Sequence, residues 1–290
     1  MKERLKFITS TVLFGSVGMF LRFVDMPSEA VALYRGMIGA LYIFLFLMAT
    51  RRPPDVKAVR NNLPWLLISG ICLGLDWIFL FAAYVNTTVA LASLCEYMAP
   101  ILVIIFTPLV LKEKLDLRKI PCIIAAFVGI VLASGVIGGG LVGPVGIASG
   151  LAGAVAFAII VFCNRKLHDI SGFDRTLVQL AVSTLTILPY VLVKNGGLPM
   201  PKDLLSGAII LILGVLQTGI AYCLYFGGVE KLPVQSVAIL GYIEPVISIL
   251  CSAVFLHEKL GWYGWLGAAM IIASAVISEM IPHKTQKRIK

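Results

Sequence analysis

The sequence predicts an all-α polytopic membrane protein whose ten transmembrane helices form two inverted five-helix repeats. Three observations predict it: apolar runs of membrane-spanning length, a one-sided distribution of basic residues, and a second half that resembles the first. Of 290 residues, 59% are hydrophobic and only 13% are charged, with a mean hydropathy of +0.97. That leaves too few polar groups to cover a water-soluble globule of this size. The formal net charge of +9 does not point to nucleic acid, because the basic residues sit in short loops and at the termini, where they meet lipid headgroups. A nucleic-acid partner is therefore excluded and a lipid bilayer expected.

Spans are expected at 5–24, 29–49, 63–84, 88–111, 119–137, 144–164, 173–193, 204–226, 232–256 and 262–281. Each is near the roughly 20 residues a helix needs to cross about 30 Å of hydrocarbon. Helices are required because backbone in lipid must satisfy its own hydrogen bonds, and the alternation of a barrel strand is missing. Turn and breaker clusters separate the runs at Asp25-Met26-Pro27-Ser28, Arg51-Arg52-Pro53-Pro54, Gly138-Gly139-Gly140 and Asn195-Gly196-Gly197. The first run resembles a signal peptide in its Lys2, Arg4 and Lys6 flank. No small-x-small site closes it, so it is expected to be retained as a span.

Orientation follows from the basic residues. With a cytoplasmic N-terminus, nineteen Lys and Arg fall on the inside, among them Arg165, Lys166 and Arg175, against Arg22, Lys194, Lys202 and Lys259 on the outside. Arg35 is left inside a helix and counts for neither side. This bias predicts both termini in the cytoplasm of a plasma (inner) membrane protein and an even number of spans.

The halves are related at a constant offset of 145 residues: Tyr97 meets Tyr242, Pro100 meets Pro245, and Glu113-Lys114-Leu115 meets Glu258-Lys259-Leu260. A weaker match at an offset of 143 pairs Phe14 with Phe157 and Arg22 with Arg165. Repeats are thus expected over 1–137 and 144–281, followed by a basic cytoplasmic tail at 282–290. Five helices per unit is an odd number, so the second copy enters the membrane from the opposite side. Alternating access uses such symmetry, whereas a scaffold has no need of it.

The pattern Pro100…Lys112-Glu113-Lys114-Leu115, repeated as Glu244-Pro245…His257-Glu258-Lys259-Leu260, together with YRGMIGALYIF at 34–44, resembles the EamA-type permeases of the drug/metabolite transporter superfamily. The resemblance covers almost the whole chain in two halves. It implies a 5+5 inverted-repeat carrier with a central cavity, often an exporter of amino acids or other small metabolites, with no one substrate common to the family. Four-helix relatives that expel cationic drugs carry a carboxylate in the first span, and this chain has none between Leu5 and Val24.

The candidate site is built around Glu96, in a run that is otherwise apolar from Ala90 to Leu111. A charge at the centre of a membrane helix costs about 2.5–3.5 kcal/mol on insertion scales, so it is seldom carried without a use or a partner. Removal from water favours the neutral, protonated carboxyl, which is the chemistry of a proton-coupled site; the alternative role is a pair that pins helix packing. At about 1.5 Å rise per residue, Glu96 and Asp76 lie roughly 13 Å from the outer helix ends and Arg35 about 10 Å, in one layer. Arg35 is expected to neutralise a carboxylate or to grip the carboxylate of a substrate. Glu244, near the middle of the ninth span, adds a third acid. One positive charge against three negative favours a cation, a zwitterion with an exposed ammonium, or protons.

Pro100 and Pro245 are expected to break helix hydrogen bonds and free the carbonyls of Glu96 and Gly241. Tyr34, Trp77, Tyr97, Gln217, Tyr222 and Tyr242 complete the expected lining, with rings able to hold an ammonium by cation–π attraction. Glu113 and Glu258, beside lysines at helix ends, read as headgroup-level ion pairs. Gly70-x-x-x-Gly74 and Gly146-x-x-x-Gly150 read as close helix crossings. The six cysteines lie in apolar runs without CxxC spacing and read as core residues. No metal or other cofactor is expected. His168, His257 and His283 sit near loops and no HExxH pattern occurs, which argues against an enzyme.

The expected function is secondary transport of a small amine-bearing metabolite, an amino acid or related cation, with proton-coupled export in view. Uncoupled facilitation and a channel are the alternatives. The expected partners are a small-molecule substrate, protons and lipid; oligomeric state is left open, with a monomer admissible.

Overall fold

The computed structural model describes residues 2–111, 118, 120–133, 143–229, 232, 240–241, 243–258 and 261–281. Among these, every regular element is helical. The order is α1 (Lys2–Gly15), α2 (Val17–Leu21), α3 (Ser28–Ala49), α4 (Val56–Asn61), α5 (Leu63–Asn86), α6 (Val89–Glu96), α7 (Ala99–Leu111), α8 (Ile120–Ala133), α9 (Pro144–Asn164) and α10 (Gly172–Asn195). Then come α11 (Leu204–Leu211), a π-helical stretch (Ile212–Ile220), α12 (Ala221–Val229), α13 (Ile243–Phe255) and α14 (Trp262–Met280).

Among the described residues seven helical segments are long and apolar enough to span a membrane: Lys2–Leu21, Ser28–Ala49, Leu63–Asn86, Val89–Val110, Pro144–Asn164, Gly172–Asn195 and Leu204–Phe226. They coincide with the first four expected spans and with the sixth to eighth. At the fifth, ninth and tenth positions stand the shorter apolar helices Ile120–Ala133, Ile243–Phe255 and Trp262–Ser278. Parts of the fifth and ninth runs, the Gly138-Gly139-Gly140 breaker, Glu113, Tyr242 and the 282–290 tail lie outside the described residues. The outward surface suits lipid: Leu41, Leu45, Ile71, Ile124, Val131 and Leu185 are exposed large apolar side chains, a coat that would aggregate in water.

Three expected spans are locally irregular, each for a traceable reason. The first is interrupted at Ser16, whose hydroxyl donates to the Leu13 carbonyl at 2.9 Å. The fourth breaks between Glu96 and Ala99, where the Met98 amide shifts to the Cys95 carbonyl and Pro100 has no N–H to offer Glu96. In the eighth, the wide π turn lets the Thr218 hydroxyl donate to the Leu213 carbonyl five residues back. Such turns recur at functional sites. Helix starts follow their caps: Asp55 accepts from the Lys57 and Ala58 amides, Ser171 from the Asp174 amide, and Asp203 from the Ser206 amide.

Packing joins the two halves by exchange. Helix α9 lies against α5, α6 and α7, while α1 lies against α12 and α13. Helix α3 pairs with α10, and α8 with α14. Swapping the halves maps the α9 contacts onto the α1 contacts and each of the last two pairs onto itself. The glycine motifs act as expected: Gly70 meets Val182, Gly74 meets Thr186, Gly146 meets Thr87 and Gly150 meets Cys95.

Two buried apolar clusters result, one centred on Leu33, Ile43, Phe81, Leu180 and Leu213, the other on Leu91, Met98, Ile101, Ile130 and Ile271. At one end of the bundle Asn62 and His168 exchange hydrogen bonds of 2.7 and 3.0 Å. The opposite end carries the Lys194–Glu29 and Lys202–Asp25 ion pairs at 3.0 and 2.9 Å.

Candidate functional site

A cavity of about 320 Å³ runs from mid-bundle toward the end that carries Asn164 and Arg175, a volume at the small end of the range for ligand sites. Arg35, Asp76, Glu96 and Glu244 all line it. The structure thus brings together the three ionisable groups that the sequence placed in one layer, and Glu244 with them. They come from four helices: α3, α5, the end of α6, and the first turn of α13.

The two acids Asp76 and Glu96 face each other within hydrogen-bonding reach. Asp76 Oδ1 and Glu96 Oε2 are both buried and find no donor among the described residues. As carboxylates both groups only accept, so a bond between them needs a proton on one. Gly153 of α9 makes the meeting sterically feasible: a Cβ there would stand 2.8 Å from Glu96 Oε2 and 3.3 Å from Asp76 Oδ1. A larger residue would fill the space where these oxygens converge.

Arg35 is 6% exposed and already engaged. Its Nε donates to the Thr218 hydroxyl at 2.8 Å, and its guanidinium lies 4.3 Å from the centroid of the Trp77 ring. The π turn places Thr218 for this contact, and a charge stacked on an indole gains roughly 1–2 kcal/mol. Trp77 therefore serves the protein's own cation. On the other side, the Tyr97 hydroxyl reaches the Glu244 carboxyl and donates to the Gly241 carbonyl at 3.5 Å. That carbonyl stands four residues before Pro245, the position where proline withdraws the usual helix donor. Pro100 lines the cavity, as do Tyr97 and Tyr222.

Two expected residues are not brought to this cavity. Tyr34 donates to the Pro199 carbonyl at 3.0 Å, because the neighbour of Arg35 on a helix points about 100° away. Gln217 donates to the Ser16 hydroxyl at 2.6 Å and bridges the break in the first span. Tyr242 lies outside the described residues.

Other lining residues were not singled out from sequence. Tyr84 is buried beside the acids and its hydroxyl lies 3.5 Å from that of Ser93. Arg175, counted from sequence among the inside loop charges, lines the cavity instead.

Glu258 also differs from its reading as a headgroup pair. Its Oε1 meets Arg22 Nη2 at 3.1 Å, while Oε2 accepts from the Val89 amide at 2.8 Å and from the Ser252 hydroxyl. Arg22 donates to the Thr87 carbonyl at 2.6 Å as well. This cluster ties α2, the start of α6 and the end of α13 together at the end of the bundle away from Arg175. A double-mutant cycle on Arg22→Gln and Glu258→Gln is expected to give a coupling of about 1 kcal/mol in unfolding free energy. Strictly additive losses would show the pair to be idle.

A bundle of long apolar helices around a cavity lined by ionisable groups is the architecture of a multi-pass membrane protein. Within that class the chain belongs to the EamA-like transporter family, whose model matches it twice, over residues 2–135 and 144–280. A Bacillus subtilis protein named uncharacterized transporter YxxF is 26% identical over 280 residues, 94% of this chain and 88% of its own length. The pseudopaline exporter CntI of Pseudomonas aeruginosa is 25% identical over 195 residues, 66% of this chain and 65% of that protein. One solved crystal structure covers 96% of this chain and 98% of its own with a TM-score of 0.67 at 18% identity, a shared fold. The family and its relatives indicate a transporter rather than an enzyme.

Proposed function

We propose that this EamA-family transporter is a ten-span, 5+5 inverted-repeat carrier that moves a small amine-bearing metabolite by alternating access and exchanges it for protons. The observation that carries the reading is the Asp76–Glu96 pair, whose converging oxygens have no donor among the described residues. A proton satisfies the pair, and so does an ammonium group; binding of one displaces the other. Competition for a single anionic site is enough to couple two opposed fluxes. Arg35 balances part of the negative charge, Glu244 supplies the rest of the acidic wall, and Tyr97 and Tyr222 shape the cavity.

The exchanged packing of the halves supports the inverted repeat, and the basic-residue bias supports a plasma-membrane protein with both termini in the cytoplasm. On that orientation the cavity reaches the cytoplasmic side, and the Arg22–Glu258 cluster closes the opposite one. Export, the direction named for one relative, fits a site loaded from within. Purified protein in liposomes carrying an internal pH dye tests the proposal. Saturable counterflow of labelled amino acids or amines, with protons moving the opposite way, is expected. Flux without proton movement would mark a facilitator, and an ohmic current a channel.

A further inference from the structure

The carboxyl pair accounts for the ammonium end of a substrate and leaves a second charged group in the same cavity without a role. Arg175 stands in the first turn of α10 and lines the cavity together with Asn164, Thr176 and Gln179. Its Nε is buried without an acceptor, and among the described residues its side chain makes no hydrogen bond or ion pair. The other cations in question all have partners: Arg22 has Glu258, Lys194 has Glu29, and Lys202 has Asp25, while Arg35 holds Thr218 and Trp77.

The acid nearest in sequence does not serve Arg175. Asp174 takes its hydrogen bonds from Ser171, the hydroxyl donating at 2.8 Å. The Gln179 amide is committed to Ser69 and to Asn164, both at 2.8 Å. What surrounds the guanidinium is aromatic. Phe226 lies 5.4 Å from it, and Tyr222 and Tyr225 are close enough to act on its charge. Stacked rings link the two ends of the site: Phe226 lies 6.0 Å from Tyr222, and Tyr222 lines the same cavity as Arg35, Glu244 and Asp76. A guanidinium held on ring faces, with its fork free, is preorganised for a planar anion such as a carboxylate.

We infer that Arg175 is the carboxylate-binding end of the site and that the substrate carries its two charges at opposite ends of an apolar chain, its ammonium at Asp76 and Glu96 and its carboxylate at Arg175. This rests on the amine reading above and adds the second recognition point. It adds a second guanidinium to Arg35, whose Nε is held by Thr218 and whose plane lies over Trp77. The ring-lined passage between the two charged ends selects for length and for an apolar middle.

Binding to purified protein in detergent without anionic lipid tests the inference. The probes are ω-amino acids of increasing chain length, their methyl esters and the corresponding amines lacking the carboxyl, measured by calorimetry on wild type, Arg175→Gln, Arg175→Lys and Glu96→Gln. At least one free acid is expected to bind wild type about tenfold or more tighter than its ester and amine, the scale of a lost charge-assisted pair. Arg175→Gln is expected to bind the three alike, and Arg175→Lys to recover part of the preference, which also guards against a folding defect. A free-acid preference that survives in Arg175→Gln overturns the inference, as does a wild type that binds esters and amines as well as acids or that binds no acid. An effect of Arg175→Gln confined to added phosphatidylglycerol would assign the guanidinium to a lipid headgroup and overturn it too. The amine probes keep the two readings apart: their binding to wild type and its loss in Glu96→Gln report on the carboxyl pair, whatever Arg175 does.

Discussion

Glu96→Gln is expected to fold normally and to lose proton-linked transport, with concentrative flux at least about 100-fold below wild type. The size follows from losing a charge-assisted contact of about 3 kcal/mol to an ammonium, together with the exchangeable proton itself. The fold survives because the amide is nearly isosteric and its N–H₂ can donate to Asp76 Oδ1, which finds no donor now. The residual flux should lose its pH dependence, since on the proposed mechanism Glu96 is the group that exchanges a proton for the substrate. Proteoliposome uptake at pH 6, 7 and 8 against an imposed pH gradient checks both features. Wild-type flux with an unchanged pH profile would take Glu96 out of the mechanism and leave the carboxyl pair as a packing device.

Arg35→Leu should produce the largest loss of stability, about 3–5 kcal/mol at pH 8, the scale seen when one member of a buried charged group is removed. The reason is arithmetic of charge: Arg35 is the cation whose field reaches both Asp76 and Glu244, and without it the acids repel one another across a poorly solvated space. The sign with pH follows. Lowering the pH from 8 to 5 supplies protons that neutralise the acids, so the gap between variant and wild type should narrow. Arg35→Lys should fall between them, keeping the charge but losing the Thr218 bond and much of the stacking on Trp77. Unfolding midpoints in a fixed detergent across that pH range measure this. An Arg35→Leu protein as stable as wild type at pH 8 would show that the layer stays neutral without it.

Much of the molecule was legible before any coordinates, because a bilayer constrains a chain more strictly than water does. Runs such as 29–49 and 63–84 had to be helices, since no other backbone satisfies itself in lipid. The helix rise alone put Arg35, Asp76 and Glu96 at one depth. Pro100 and Pro245 marked, through the missing proline N–H, the interrupted ladder around Glu96 and the Gly241 carbonyl, which accepts from Tyr97 instead. Depth along a helix is a one-dimensional quantity, and sequence encodes it directly.

What sequence could not decide was direction around each helix and what stands opposite. Tyr34 is adjacent to Arg35 and shares its depth, yet it points to the Pro199 loop. Arg175 counts as one more loop charge by position and becomes a cavity residue only because α10 sets it against Phe226 of α12. The Arg22–Glu258 contact joins residues 236 positions apart, and Gly153 matters because α9 presents it to two acids from other helices. The sequence by itself determined which groups lie at membrane depth, through the cost of placing them there. The tertiary structure decided which of them find partners within the protein and which do not, because side-chain pairing depends on helix rotation and on neighbours that the chain brings from far along its length.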